Sequence, residues 1–495
     1  HFFPADEVKR IIEQISRVRM NVLRWRLSDD QGWRVECESF PRLNELSPEY
    51  YTKDEIREVV EYARVRGIDI IPEIDMPGHV CGLLAAYPEL GCFGNDVAVA
   101  SSGGVYTDIL CAGKPAVYTF LDRLFGEICP LFPYERFHIG GDEAPKKHWE
   151  ACPDCRREME THGLESANAL QGLFTERIAD MLKKHGKTAV CWNELLRSGQ
   201  VPEGAQIQYW NVDDAPLMQE YISRGGGFIY SDMFELYLDY PVSMTPVKRM
   251  YETVPKIDTM PCGELPNMLG LEVCVWTEYI ADRVRLEERL FPRAFTAAEK
   301  AWGSAAEDYA SFCARLEKVQ RLAESAGIAC VPRESWDPRG KARRKETIAY
   351  MAEINTGLSD DRRAETLDVR EELVYARDRD FARLDDDFTV SCWPVGSDVP
   401  RAEHGRINAR LAEIGVRAEV LPASGGSTHE LSLGAGLAVG SSWIGGGDTF
   451  CGYAQASNVR KQPINTAASR ANRYQSAYRS AAATRKFGLI QTAVC

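Results

Sequence analysis

The densest chemical signal in the chain is His138-Ile139-Gly140-Gly141-Asp142-Glu143, a short β-rich run ending in two glycines and two adjacent carboxylates. Neighbouring side chains of a regular strand point to opposite faces, so Asp142 and Glu143 can serve one cavity only where the strand has become a loop. Gly140-Gly141 permits that change. Two like charges held close split in pKa: one stays ionised and the other keeps its proton near neutrality, which is how a general acid is made. A surface acidic pair is the simpler alternative for this motif taken alone. A second cluster, Asp75-Met76-Pro77-Gly78-His79, also follows an apolar run, and Pro-Gly turns His79 back toward the strand end. A single histidine is usually structural, but an orienting carboxylate at Asp29 or Asp30 would make His79 part of a proton-transfer system. Trp192, Trp210 and Trp276 each close a different β-rich run near carboxylates, a placement that suits walls stacking on sugar rings.

These groups lie far apart in sequence, so a fold must gather them. Over residues 1–330, β-rich runs at 20–27, 68–74, 136–140, 188–192, 206–210, 228–231 and 270–276 alternate with helical stretches such as 6–17, 53–66, 167–185 and 215–223. Such alternation builds a parallel sheet, open or closed. Polar residues cluster past several strand ends: Asp29-Asp30, Asp75 to His79, Asp142-Glu143, Asn193-Glu194 and Thr277-Glu278. A doubly wound sheet gathers function mainly at one switch point, whereas a TIM (β/α)8 barrel brings all strand ends to one face. The expectation is therefore an α/β TIM barrel over 1–330. Only seven strands are legible, and an eighth would have to precede His1.

Beyond the segment at 305–332, read as a closing helix, the sequence changes character. Residues 357–388 are dense in charge and read as a solvated helix, and residues 424–447 hold eight glycines. From Thr449 onward there are seven Lys/Arg and no Asp or Glu, against a formal net charge of −14 for the whole chain. Residues 331–495 are read as an unassigned extension, partly flexible. The acidic balance argues against a nucleic-acid or anionic-membrane partner, and the longest uncharged run, Leu431 to Gly447, is too rich in Gly and Ser for a membrane span. No signal peptide is legible, and a start at His1 without Met suggests a processed or truncated beginning. The compartment is left open. Fifteen cysteines, mostly isolated, do not form a dense disulfide scaffold. Cys152-x2-Cys155, flanked by His148 and His162, has ligand types that a structural zinc accepts, and a surface turn with free or locally paired thiols is the preferred reading.

Taken together, the segments MNVLRWRLSDDQGWR, IIPEIDMPGH, FHIGGDE, WNE, YLDY and VWTEY resemble glycoside hydrolase family 20, the β-N-acetylhexosaminidases, in family order over residues 1–303. The resemblance implies a TIM barrel and an exo-acting hydrolase that releases terminal β-linked GlcNAc or GalNAc from an oligosaccharide or glycoconjugate. The mechanism would be retaining and substrate-assisted, the 2-acetamido group acting as nucleophile. It implies Glu143 as general acid/base and Asp142 as the group that orients and stabilises the acetamido group, with Tyr237 hydrogen-bonding the same group. Trp192, Trp210 and Trp276 would enclose the sugar, Asp239 and Glu278 would bind its outer hydroxyls, and His79 with Asp29 or Asp30 would assist the acid. No metal or organic cofactor is expected, and no strand carries the His-x-His pair of a metal-dependent barrel hydrolase.

The chain departs from the family at two places. Arg24-Trp25-Arg26 stands where the family commonly has His-Trp-His, and Arg cannot act as a base near neutrality. Arg24 and Arg26 share a strand face and so require one polar environment, expected near Asp29 and Asp30. The family's first strand, with a sugar-binding Arg, does not precede His1, which would leave two unpaired edges unless the barrel is completed in another way. These departures support the alternative of a non-catalytic or weakly active carbohydrate-binding relative.

Overall fold

The computed structural model describes residues 1–255, 267–303, 308–356, 388–394, 418–422, 429–433, 437–439, 441–443, 449–455 and 489–494. Two compact units are present: 1–239, 247–333 and 480–495 form one, and 240–246 with 334–479 form the other.

The first unit is a closed parallel barrel. Its strands are β1 (Val22–Arg26), β2 (Asp69–Glu73), β3 (Arg136–His138), β4 (Thr188–Trp192), β5 (Gln206–Tyr209), β6 (Phe228–Tyr230), β7 (Met268–Val275) and β8 (Leu489–Val494). Around the ring the order is β1-β8-β7-β6-β5-β4-β3-β2. The seven strands read from sequence all form, within a few residues of their expected bounds. The eighth place is taken by β8, which follows all the other strands in sequence. Val22 faces Gln491 in register on one side, and Leu489 faces Gly270 on the other. Both expected open edges, on β1 and β7, are thus paired.

Helices cover the outside for reasons visible in their sequences. Helix α1 (Ala5–Arg17) buries Ala5, Val8, Ile11, Ile12 and Ile15, one apolar stripe at helical spacing. Helix α2 (Lys53–Arg64) starts at a capping box in which the Thr52 side chain and Glu55 satisfy each other's backbone N–H groups. Helix α3 (Ala167–Lys184) is capped by Ser166. The segment read as a closing helix contains Tyr309–Ser325, capped by Asp308. No described helix is long and apolar enough to cross a membrane.

The barrel interior departs from the branched aliphatic layers usual for this architecture. Arg24, Glu73, His138, Gln208 and Glu272 are wholly buried and Arg26 nearly so. Arg24 donates from Nε to Glu272 Oε1 (2.7 Å) and also bonds Glu73. Arg26 donates to Glu73 Oε1 (2.8 Å) and Asp29 Oδ2 (2.7 Å). The environment expected for both arginines therefore holds for Arg26 at Asp29, whereas Arg24 finds Glu73 on adjacent β2 and Glu272 on β7, beyond β8.

The Cys152/Cys155 pair is a second correction. Neither is at the surface: their exposures are 1% and 0%. The flanking histidines belong elsewhere, His148 with Asp108 and His162 with Glu158.

In the second unit, Phe388–Pro394, Thr449–Gln455 and Ser441–Trp443 form one antiparallel sheet, and Ala418–Pro422, His429–Leu433 and Leu437–Val439 form another. A helix, Gly340–Thr356, precedes them. The solvated helix expected at 357–388 lies outside the described residues except for Phe388, as does most of the basic tail (456–488).

Candidate active site

The site is built at and just past the ends of β1 to β7. After β3 the backbone turns left-handed at Gly140 (φ 64°) and Gly141 (φ 99°). A Cβ on Gly140 would collide with Asp75 Oδ1, so only glycine lets the β3 turn close against Asp75. Asp75 in turn accepts the Gly141 N–H (3.0 Å), and Gln171 on α3 donates to the Gly141 carbonyl (2.7 Å). Glu143 (φ 43°) and His79 (φ 52°) also sit in the left-handed region. Non-glycine residues held there carry strain that the surroundings must enforce, a pattern that clusters at functional sites.

His79 is the hub. Its Nδ1 lies 3.0 Å from Asp30 Oδ2 and 3.3 Å from Asp29 Oδ1, and its Nε2 lies 3.5 Å from Glu143 Oε2 and 3.7 Å from Asp142 Oδ2. Asp30 is fixed by the Cys81 N–H (2.9 Å), and Asp29 by Arg26 and by the Asp30 N–H. Burial works against charge on the imidazole, but Asp29, Asp30 and Glu143 outweigh it and hold the His79 pKa well above 6.5. Burial, reinforced by Asp75, pushes Asp142 well above the ordinary carboxyl value, with His79 and Arg26 pulling the other way.

Beside this cluster stand four aromatic rings. Trp210 stacks on Tyr237 at 6.1 Å, and Trp192 lies 6.2 Å from Trp210 and 6.1 Å from Trp276. Tyr237 and Trp276 are 5.6 Å apart, brought together by a backbone bridge from Tyr237 to Cys274 on β7. Burial, with Asp142 and Asp239 acting in the same sense, raises the Tyr237 hydroxyl well above 10, so it remains a donor. Asp239 is pushed up to about 7 by burial and by Glu278, which is exposed.

Several buried polar atoms in this region make no hydrogen bond: Asp142 Oδ1, Asp239 Oδ1, His79 Nε2, Trp192 Nε1 and Trp276 Nε1. A buried orphan is costly unless a ligand satisfies it, and this set combines acceptors and donors as a polyhydroxylated amide would need. Asp75, His79 and Asp142 come close enough to hold a metal ion, as do Asp29, Asp30 and His79. Arg26 lies 2.8 Å from Asp75 and His79 is itself cationic, so this charge is already balanced in part.

All eleven site residues expected from sequence lie in the barrel unit. The structure brings Asp29, Asp30, His79, Asp142 and Glu143 into one cluster and Trp192, Trp210, Tyr237 and Trp276 into one enclosure. Two supports escaped the sequence reading. Asp75 props the β3 turn, and Glu194 accepts the Trp210 indole N–H at 2.7 Å while burial lifts its carboxyl to about 7. Both stand inside motifs already noted, but their partners lie on other strands.

The model of glycosyl hydrolase family 20, catalytic domain, matches residues 1–305. The β-hexosaminidase of Porphyromonas gingivalis is 34% identical over 350 residues, which cover 66% of this chain and 45% of that protein. Among solved structures, the chitobiase of Flavobacterium johnsoniae superposes with a TM-score of 0.60 at 34% identity, covering 71% of this chain and 53% of the other. A mutant β-hexosaminidase of Streptomyces plicatus, solved in complex with the product GlcNAc, gives 0.59 at 32% identity and covers 68% of each chain. The chain spans about half the length of the first of these relatives.

Proposed function

The chain belongs to glycosyl hydrolase family 20, and from that premise we propose that it is an exo-acting β-N-acetylhexosaminidase releasing terminal GlcNAc or GalNAc with retained configuration. One observation carries the reading: buried Asp142 and its neighbour Glu143 face the same imidazole, beside a four-ring enclosure. A conventional retaining glycosidase needs a second carboxylate as nucleophile, and an adjacent Asp-Glu pair suffices only where the substrate's acetamido oxygen takes that role.

In this scheme Glu143 gives its proton to the glycosidic oxygen as the acetamido carbonyl oxygen attacks the anomeric carbon and the bond to the leaving group breaks. The adjacent imidazolium of His79 stabilises the carboxylate left behind. The amide N–H donates to Asp142. As positive charge develops in the oxazolinium-like ring, it offsets the burial that holds Asp142 high and favours its ionised form as counter-ion, a gain larger in the transition state than in the ground state. Tyr237 donates its hydroxyl to the acetamido oxygen and keeps it aligned. Water, deprotonated by Glu143, then opens the ring on the same face from which the leaving group departed. Trp192, Trp210 and Trp276 enclose the sugar, and Asp239 and Glu278 receive its outer hydroxyls. Residues 1–330 supply every group in the scheme and are read as the catalytic domain, with 331–495 an extension of unassigned role apart from β8.

The test is release of phenol from an aryl β-N-acetylglucosaminide, compared with the matching glucoside that lacks the acetamido group. The unmodified chain should hydrolyse the first and scarcely touch the second. Glu143→Gln should lower turnover by about 10²–10⁴-fold, the usual worth of a positioned proton donor. Binding of GlcNAc without turnover by the parent chain would instead establish the non-catalytic reading.

A further inference from the structure

Four cysteines outside the catalytic cluster converge on one point. Cys92, Cys111, Cys152 and Cys155 place their sulfurs within 4.8 Å of one another. The individual separations are 3.5 Å for Cys111–Cys155, 3.8 Å for Cys111–Cys152 and 3.9 Å for Cys92–Cys155. A tetrahedron of sulfurs around zinc at about 2.3 Å has edges of about 3.8 Å. The sulfurs therefore stand at the spacing of a tetrahedral thiolate site, and all three separations are far above the roughly 2.05 Å of a disulfide. We propose that these four residues form a structural zinc site with four thiolate ligands.

The backbone is arranged for it. Cys152-Pro153-Asp154-Cys155 forms the C-x2-C turn that opens the helix Pro153–His162. Against it packs the turn Cys111-Ala112-Gly113, so tightly that a Cβ on Gly113 would overlap the Asp154 carbonyl carbon and the Cys155 nitrogen. Cys92 comes from the strand-like segment at Gly91, which bridges Leu110, and the Cys111 N–H donates to Leu90 O at 2.9 Å. Cys111, Cys152 and Cys155 are at most 1% exposed. The other buried cysteines among the described residues, at 37, 81, 129, 191, 274 and 313, are outside this group. Simple core packing does not require four sulfurs from two loops to meet.

The location gives the site its purpose. Cys92 and Cys111 belong to the long connection after β2, which begins with Asp75 and His79. Cys152 and Cys155 belong to the connection after β3, which begins with Asp142 and Glu143. Between residues 74 and 114 regular structure is limited to the helix Cys81–Ala86 and the short turn Pro88–Leu90. A loop of that length is expensive to order without a clip. Zinc bound to the four thiolates, with the thiol protons released to solvent, would staple the two connections that hold His79 opposite Glu143. Two neighbouring contacts follow the same seam: Leu110 N–H to Pro77 O at 3.0 Å, and the Trp149 indole N–H to Leu110 O at 2.8 Å.

The experiment is metal analysis of the purified full chain, kept reduced, supplied with zinc and then freed of unbound metal. About one zinc per chain is expected, with replacement by cobalt giving the visible and thiolate-to-metal absorption of a tetrahedral sulfur site. Cys92→Ser and Cys155→Ser should each lower bound zinc by about tenfold or more, and Cys129→Ser should leave it unchanged. The zinc content and cobalt spectrum of the unmodified chain decide the matter even where a variant fails to fold, and neither depends on turnover. A metal-free parent chain, zinc retained by both ligand variants, or a disulfide within the four cysteines of the isolated protein would each overturn the proposal.

Discussion

The barrel holds two nests of buried ionisable groups, and they are opposites. In the interior, Arg24 and Arg26 meet Glu73 and Glu272, and His138 is kept neutral, its pKa driven well below 6.5 by burial and by the two arginines. The positive and negative charges there cancel. At the mouth, Asp29, Asp30, Asp75, Asp142 and Glu143 face one imidazolium and one edge of Arg26. Negative charge is in excess, and burial holds Asp142 well above the ordinary carboxyl value. A balanced nest satisfies its own charges and does nothing further. An unbalanced one stores the electrostatic tension that a cationic transition state relieves.

The sharpest way to break this comparison is Glu73→Gln. It leaves Arg24 and Arg26 short of a buried counter-charge and should cost about 3–5 kcal/mol of stability, read as a shift in denaturation midpoint. An unchanged midpoint would show that the interior charges are not mutually required. Asp142→Asn is the converse case. Turnover should fall by about 10²–10³-fold with KM little altered, while stability stays level or rises, because a carboxyl that burial penalises has gone. Loss of stability with intact turnover would reverse the assignment of the two nests.

Asp30→Asn probes the hub. Removing that charge should lower the His79 pKa by about 1–3 units, measured by NMR titration of the ring, with a smaller fall in turnover than Asp142→Asn gives. The smallest effect is on the pH dependence of stability. Because the folded-state pKa of His79 is raised, its contribution is complete below about pH 6.5 and is lost as pH rises through the folded value. Asp239 acts in the same direction: its carboxyl is raised to about 7, so ionising it costs stability as pH climbs from about 4 to that value. Tm should therefore decline from about pH 4 to 7 through Asp239 and go on declining above neutrality through His79, and His79→Gln should flatten only the second part. A Tm that rises there in the parent chain would contradict the imidazolium assignment.

Much of this was legible in one dimension. Strand and helix positions follow from apolar period and turn chemistry, which are local, and Thr52 to Glu55 or Ser166 mark helix starts without reference to the rest of the molecule. The functional motifs were legible because each lies within a few residues past a strand end, where a parallel barrel must assemble its site. Arg24 was misplaced because its partners, Glu73 on β2 and Glu272 on β7, are brought to it across the barrel interior from large sequence distance. The Cys152-x2-Cys155 turn was read as a surface feature for the same reason: Cys92 and Cys111, which complete it, are separated from it by dozens of positions.

Sequence by itself therefore determined the alternating elements, the family motifs and the identity of the acidic pair. It could do so because backbone propensity and side-chain chemistry act within a few residues. Tertiary structure alone decided which charges cancel, which stay unbalanced, which sulfurs meet, and that Leu489–Val494 closes the ring between β1 and β7. Coulomb energy, desolvation and strand pairing depend on distance in space, and closing the barrel sets those distances.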